Sequence, residues 1–140
     1  MRFMIIVRAS KDSEAGTLPR TELLAAMGKY NEELAKAGVM VAGEGLHDSS
    51  KGARIKFSGA NRTVTQGPFP LDSVIAGFWI FEVKSKEEAI EWVKRAPNPF
   101  PDGGEIEIRQ LFAAEDFGEN LTPELKEQED RLRAQTEGKR

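Results

Sequence analysis

Two periods organise the apolar residues of this chain. Residues 2–9, RFMIIVRA, are apolar on both faces and rich in β-formers, which predicts a buried strand. A polar loop, KDSEAGTLP, follows. From Thr21 the period changes: Leu23, Met27, Tyr30, Leu34 and Ala37 fall at i, i+4, i+7, i+11 and i+14, one stripe of a helix that Gly38 closes. Gly28, inside that stripe, marks either a close approach or simple tolerance. Residues 39–46, VMVAGEGL, predict a second strand whose glycines suggest a bulge or a close backbone contact. ARIKFSG and NRTVTQG then read as a hairpin turning near 58–61. Ile55 and Phe57 alternate there with Arg54, Lys56 and Ser58, as in strands with one wet face.

Residues 73–83, SVIAGFWIFEV, carry the strongest pattern. Val74, Ala76, Phe78 and Ile80 line one face; Ile75, Gly77, Trp79, Phe81 and Val83 line the other. Both faces of this strand need a cover. Ser85 and Glu88 form a capping-box pattern ahead of a helix with the stripe Ala89, Trp92, Val93 and Ala96. A rigid connector, PNPFPDGG, leads to a last strand at 105–112, with Ile106, Ile108 and Phe112 inward and Glu105, Glu107, Arg109 and Leu111 on the other face. Thr122, Pro123 and Glu124 start a further helix, but Leu125 and Leu132 are its only large apolar residues, so it is expected at the surface with a frayed end.

The element order is β-α-β, a hairpin, then β-α-β, which predicts an α+β fold. The protomer is ferredoxin-like: an antiparallel sheet, two helices on one face, an inserted hairpin and an extra C-terminal helix. Two helices cover only one face. The other face of the 73–83 strand is expected to meet a second copy, sheet against sheet, in a dimeric α+β barrel. The expected division is residues 1–118 for the domain and 119–140 for a helical extension.

Composition narrows the function classes. The 140 residues carry 20 Lys and Arg against 23 Asp and Glu, a net charge of −3, with no long basic run, so no nucleic-acid partner is expected. There is no cysteine and a single histidine, His47, which excludes disulfides, thiolate chemistry and multi-histidine metal centres. No apolar run reaches the ~18 residues of a membrane helix, and a signal-peptide pattern is not evident at the N-terminus. A cytoplasmic protein without membrane contact, metal or cofactor is the expectation. Phosphate loops and Ser-His-Asp arrangements are absent.

The segments AGVMVAGEGL, QGPFP, AGFWIFEVKSKEEAIEWVKRAPNP and GEIEIRQLFAAEDFG, agreeing in order and spacing, resemble the YCII-related (DGPF) domain family. The matching residues are Gly67, Pro68 and Phe69; Ala76 to Trp79; Glu87 to Trp92; and Pro97. Together these segments span most of residues 1–118. The resemblance implies a dimeric α+β barrel of ferredoxin-like protomers. It implies kinship with isomerase-like and monooxygenase-like enzymes that use a cleft between sheet and helices, and in some members an association with sigma factors. For most members the resemblance implies no established reaction; an acidic residue and a histidine are proposed as an active pair in YciI-type members. The chain departs from the pattern at Gln66, where the family has Asp, and at 70–74, PLDSV; its first helix has no histidine.

Candidate site residues follow from placement. Glu44, between Gly43 and Gly45, is a proton-transfer carboxylate if it faces an apolar cleft; otherwise it fixes the strand by pairing with a basic residue. His47, beside Asp48, is a general acid–base or a solvated loop histidine. Arg109 and Glu107 hold a small anionic or polar ligand, or pair with each other. Arg54 is a further anion partner or plain surface. Tyr30 and Trp79 line the cleft or the core. Gln66 donates to a ligand where the family's Asp would accept, and Asp72 replaces the missing acid or caps the turn. The expected function is a small-molecule cleft of the cofactor-independent isomerase or proton-transfer type; the alternative is a non-catalytic ligand-binding, regulatory or interaction module.

Overall fold

The computed structural model describes residues 1–137. Six strands and four helices form in the order β1 (Arg2–Arg8), α1 (Lys11–Glu14), α2 (Thr21–Lys36), β2 (Met40–Gly45), β3 (Ala53–Ser58), β4 (Asn61–Gln66), β5 (Ile75–Glu82), α3 (Lys86–Lys94), β6 (Ile106–Gln110) and α4 (Pro123–Glu137). β2, β5, β1 and β6 lie side by side in that order, every neighbour antiparallel. β3 and β4 pair only with each other, as a separate two-stranded ribbon. This is the mixed α+β, ferredoxin-like arrangement with an inserted hairpin that the sequence predicts. The chain divides into two compact units, Met1–Gln110 and Leu111–Arg140.

The register sorts the side chains of the first unit. Phe3 faces Phe81 and Ile5 faces Trp79 across β1 and β5. Directly opposed residues share a sheet face, and this face, with Val83, packs against Tyr30 and Leu34 of α2 and Ala89 of α3. Met27, Trp92, Val93, Ile106 and Ile108 complete the layer. β2 bulges between Met40 and Ala42, so Met40 stays on the helix side while Ala42 and Glu44 turn to the other. Of the two glycine readings for β2, the bulge falls ahead of the glycines, and the close approach falls at Gly43 but with side chains rather than backbone. A Cβ on Gly43 would lie 2.8 Å from Trp79 Cδ1 and from Met40 Cε, so the missing side chain is the seat of the indole.

α2 closes differently from its stripe. Ala37 is exposed at the C-cap, and the stripe ends at Leu34. Gly38, at φ +72°, lets its own N–H donate to Ala35 O (3.0 Å) and the Val39 N–H donate to Leu34 O (2.9 Å). That is a Schellman motif, and it returns Val39 to the core beside Leu34. No atom approaches a Cβ built on Gly28, so tolerance is the right reading there.

Four local expectations are corrected. The polar loop after β1 contains α1, because Ser10 and Ser13 exchange side-chain–backbone hydrogen bonds in a serine-only capping box. At α3 the Glu88 N–H donates to Ser85 Oγ (3.1 Å), but the Glu88 carboxylate accepts from Lys84 N (3.0 Å), one residue before the cap. β6 stops at Gln110, two residues short of Phe112, which is exposed and stacks on Phe117 at 5.0 Å instead of pointing inward. Phe100, in the connector, is buried, and its ring occupies the space a Gly104 side chain would need. α4 buries no residue, as its composition predicts. The frayed end expected of the extension includes 138–140, which lie outside the described residues.

Candidate functional site

The face of the sheet turned away from α2 and α3 is built from two rows of paired residues. One row runs Ala42, Ile80, Met4, Arg109; the next runs Glu44, Phe78, Ile6, Glu107. Met4, Ile6, Ala76, Phe78 and Ile80 are half-buried, and within the Met1–Gln110 unit both long helices sit on the opposite face. The rows therefore give an apolar middle with charges at each edge: Glu44 on β2 and Glu107 with Arg109 on β6.

At the β6 edge, Glu107 bridges two guanidiniums. Its Oε1 lies 3.6 Å from Arg8 Nη1 and its Oε2 3.2 Å from Arg109 Nη1. Arg8 is steadied from behind, since its Nη2 donates to the Asp72 carbonyl at 2.7 Å. Two cations share one carboxylate, which leaves one positive charge in excess. Each of these pairs is solvent-washed and stabilises by ~0–1 kcal/mol. Arg8 was not singled out from the sequence. Its alternation with Met4 and Ile6 is the signal that puts it on this face.

Glu44 does not meet this cluster within one chain. Glu44 and Glu107 stand at opposite ends of one row, three strand spacings apart, or roughly 14 Å. His47 is exposed on the loop after β2, its Nδ1 3.4 Å from Lys51 Nζ. Glu44, His47 and Arg109 are all exposed and do not converge on one point.

Tyr30 and Trp79 stand in the core. Their rings meet edge to face at 5.8 Å, and their polar atoms are engaged inside. Tyr30 Oη donates to Trp92 O at 2.6 Å, and Trp79 Nε1 donates to Asn31 Oδ1 at 2.9 Å. Burial pushes the Tyr30 hydroxyl up to about 12. Gln66 ends β4 opposite Ala53 and is exposed.

The second organised cluster surrounds the Gly-Pro-Phe corner. Ser49 is its hub: its N–H donates to Glu14 Oε1 at 2.9 Å, its hydroxyl donates to Glu14 Oε2, and its Oγ accepts from Phe69 N at 2.9 Å. The Gly67 N–H donates to Gly52 O at 2.9 Å, across a cis Gly67–Pro68 bond. Phe69 lies under the Arg54 guanidinium at 4.0 Å, and Arg54 donates to both Ser73 O and Ser73 Oγ at 3.0 Å. Nearby, the Ser50 hydroxyl holds the Asp48 carboxyl below its usual range. These bonds tie the 49–52 turn, the Gly-Pro-Phe corner and the base of the ribbon to one another. Glu14 carried no sequence signal, because nothing in KDSE announces a partner 35 residues away.

Among the described residues no three His, Cys, Asp or Glu side chains gather as metal ligands, and no helix is long and apolar enough to cross a membrane. The family model of the YCII-related domain matches residues 1–115. No curated protein matches the chain.

Proposed function

The chain belongs to the YCII-related domain family, and from that premise we propose that it works as a homodimer closed through the open sheet face, holding a small anionic or polar ligand at the rim of the interface. The observation that carries this reading is the pair of rows across the sheet. Four large apolar side chains, Met4, Ile6, Phe78 and Ile80, stand half-buried with both long helices on the opposite face. Finishing their burial stabilises by on the order of 1 kcal/mol each. A two-fold axis running along the strands sets the β2 edge of one copy over the β6 edge of the other. Glu44 then approaches the Arg8–Glu107–Arg109 cluster of the second copy, and the charges complement each other. Two guanidiniums suit the anionic end of a ligand, and Glu44 suits its donor end.

A binding or regulatory module is favoured over a proton-transfer enzyme. Within one chain Glu44 and His47 lie apart on the strand and the loop after it, and no hydrogen bond joins them as an acid–base pair among the described residues. Light scattering at micromolar concentration tests the first half of the reading: a particle twice the chain's 15.5 kDa is expected, and a monomer overturns it. Thermal-shift screening with small carboxylic acids tests the second. Stabilisation that Arg109→Ala abolishes supports the rim site; stabilisation unchanged in Arg109→Ala and in Arg8→Ala refutes it.

A further inference from the structure

The β3–β4 ribbon is apolar where nothing covers it. Ile55 pairs with Val64 and Phe57 with Arg62, so these four share one face. Ile55 is 55% exposed, Phe57 69% and Val64 57%. A lone two-stranded ribbon is marginal in water. This one is tied down only at its base, through Arg54 and the Gly67 corner.

The ribbon is also one-signed. Residues 53–66 hold Arg54, Lys56 and Arg62 and no carboxylate. Among the described residues none of the three forms an ion pair. Arg54 is turned back on Phe69 and Lys56 pairs with Thr63 on the ribbon's other face, whereas Arg62 lies over Phe57 at 4.4 Å, leaving its charge on the apolar face open to a partner.

The segment after β6 has the opposite character. Residues 111–130 hold seven carboxylates and one lysine, a net charge of −6. Phe112 is 70% exposed and stacks on Phe117, 43% exposed, with Glu115 and Asp116 between them in sequence. An exposed aromatic pair set among acids complements an exposed apolar face that carries Arg62, in both hydrophobic and electrostatic respects.

We propose that the ribbon is a docking arm whose Ile55–Phe57–Val64 face seats on the acidic 112–130 segment of a second copy, around Phe112 and Phe117. The occupant is a second copy because the chain carries both complementary surfaces, and a two-fold pair satisfies both arms at once. This rests on the dimer proposed above only in needing a second copy; it assigns a contact outside the sheet face.

The test places a photo-crosslinking benzoylphenylalanine at position 57 of the full-length protein. Copies with natural-abundance and heavy nitrogen are mixed, irradiated and mapped by mass spectrometry. Mixed-isotope peptides joining residue 57 to 112–130 are expected. Single-isotope products alone, products elsewhere, or none overturn the docking arm. Arg62→Glu is expected to lower the yield about five-fold, as opposed charges become like charges. Adding Glu115→Lys and Asp116→Lys restores it; a yield indifferent to either exchange refutes the electrostatic match. Light scattering on the same samples separates the readings: a dimer without the crosslink removes the arm and leaves the sheet-face dimer standing.

Discussion

Two glycine-to-alanine changes should move stability in opposite directions, and the reason is geometric in both. A Cβ on Gly67 would run into the Ser49 carbonyl oxygen and lie 2.7 Å from the Ser49 carbonyl carbon and 3.3 Å from Ser50 Cα. These are backbone atoms, so no rotamer change relieves the clash, and the corner must separate from the 49–51 turn. Gly67 is not among the positive-φ glycines, so the cost is contact alone. Separation loosens three hydrogen bonds: Gly67 N to Gly52 O, Phe69 N to Ser49 Oγ, and Ser49 N to Glu14 Oε1, each 2.9 Å. At ~0.5–1.5 kcal/mol net apiece, Gly67→Ala should cost about 2–4 kcal/mol. For a chain of this size ~3 °C per kcal/mol puts the fall in Tm near 10 °C. Gly28→Ala meets nothing within 4 Å inside α2 and should gain about 1 kcal/mol from helix propensity. Calorimetry on both variants, with urea midpoints as a second measure, decides the matter. If Gly67→Ala melts within 1 °C of the parent, the corner does not close on Ser49 and its hub role is wrong.

Phe78→Asp places a carboxylate in the apolar middle of the open face while leaving the helix-side core untouched, so it should give a folded monomer by circular dichroism and light scattering; a persistent dimer would move the interface elsewhere. Tyr30 keeps its proton to about pH 12 in the folded chain, whereas an unfolded tyrosine loses it near 10. The unfolded state therefore binds fewer protons over that window, and stability falls as pH rises from 10 to 12; Tyr30→Phe should flatten this part of the pH–stability curve, and an unchanged slope would assign it to another group. Asn31→Ala leaves the buried Trp79 indole N–H without its acceptor and should cost about 1–3 kcal/mol in urea unfolding, against little change in an Asn31→Asp variant that keeps an acceptor in place.

Periodicity made the layers legible but not the edges. The two apolar faces of the 73–83 segment and the alternation of Ile106, Glu107, Ile108 and Arg109 read directly as sides of a sheet, because side-chain direction alternates along any strand. Which strands are neighbours is a tertiary property. With β2 and β6 at opposite edges, Glu44 and Glu107 share a face yet stand roughly 14 Å apart. The partner that approaches Gly43 was hidden for a related reason. A missing side chain announces space, but only packing says who fills it, and here Trp79 does. The Glu14–Ser49 contact was illegible, since α1 is one turn long and its partner follows an entire helix and strand.

The same geometry decides how a ligand site can exist at all. Within one chain the acid of β2 and the guanidiniums of β6 are separated by an apolar floor of Phe78 and Ile6, too wide for a small molecule to span. A site using both edges must therefore borrow one from a second copy, and ligand affinity must then rise with dimer population. A ligand that stabilises the parent protein should lose its effect in Phe78→Asp, although Glu44, Arg8 and Arg109 are all retained. Undiminished binding by that monomer, measured by calorimetric titration, would place the site inside a single chain and refute the shared-rim arrangement.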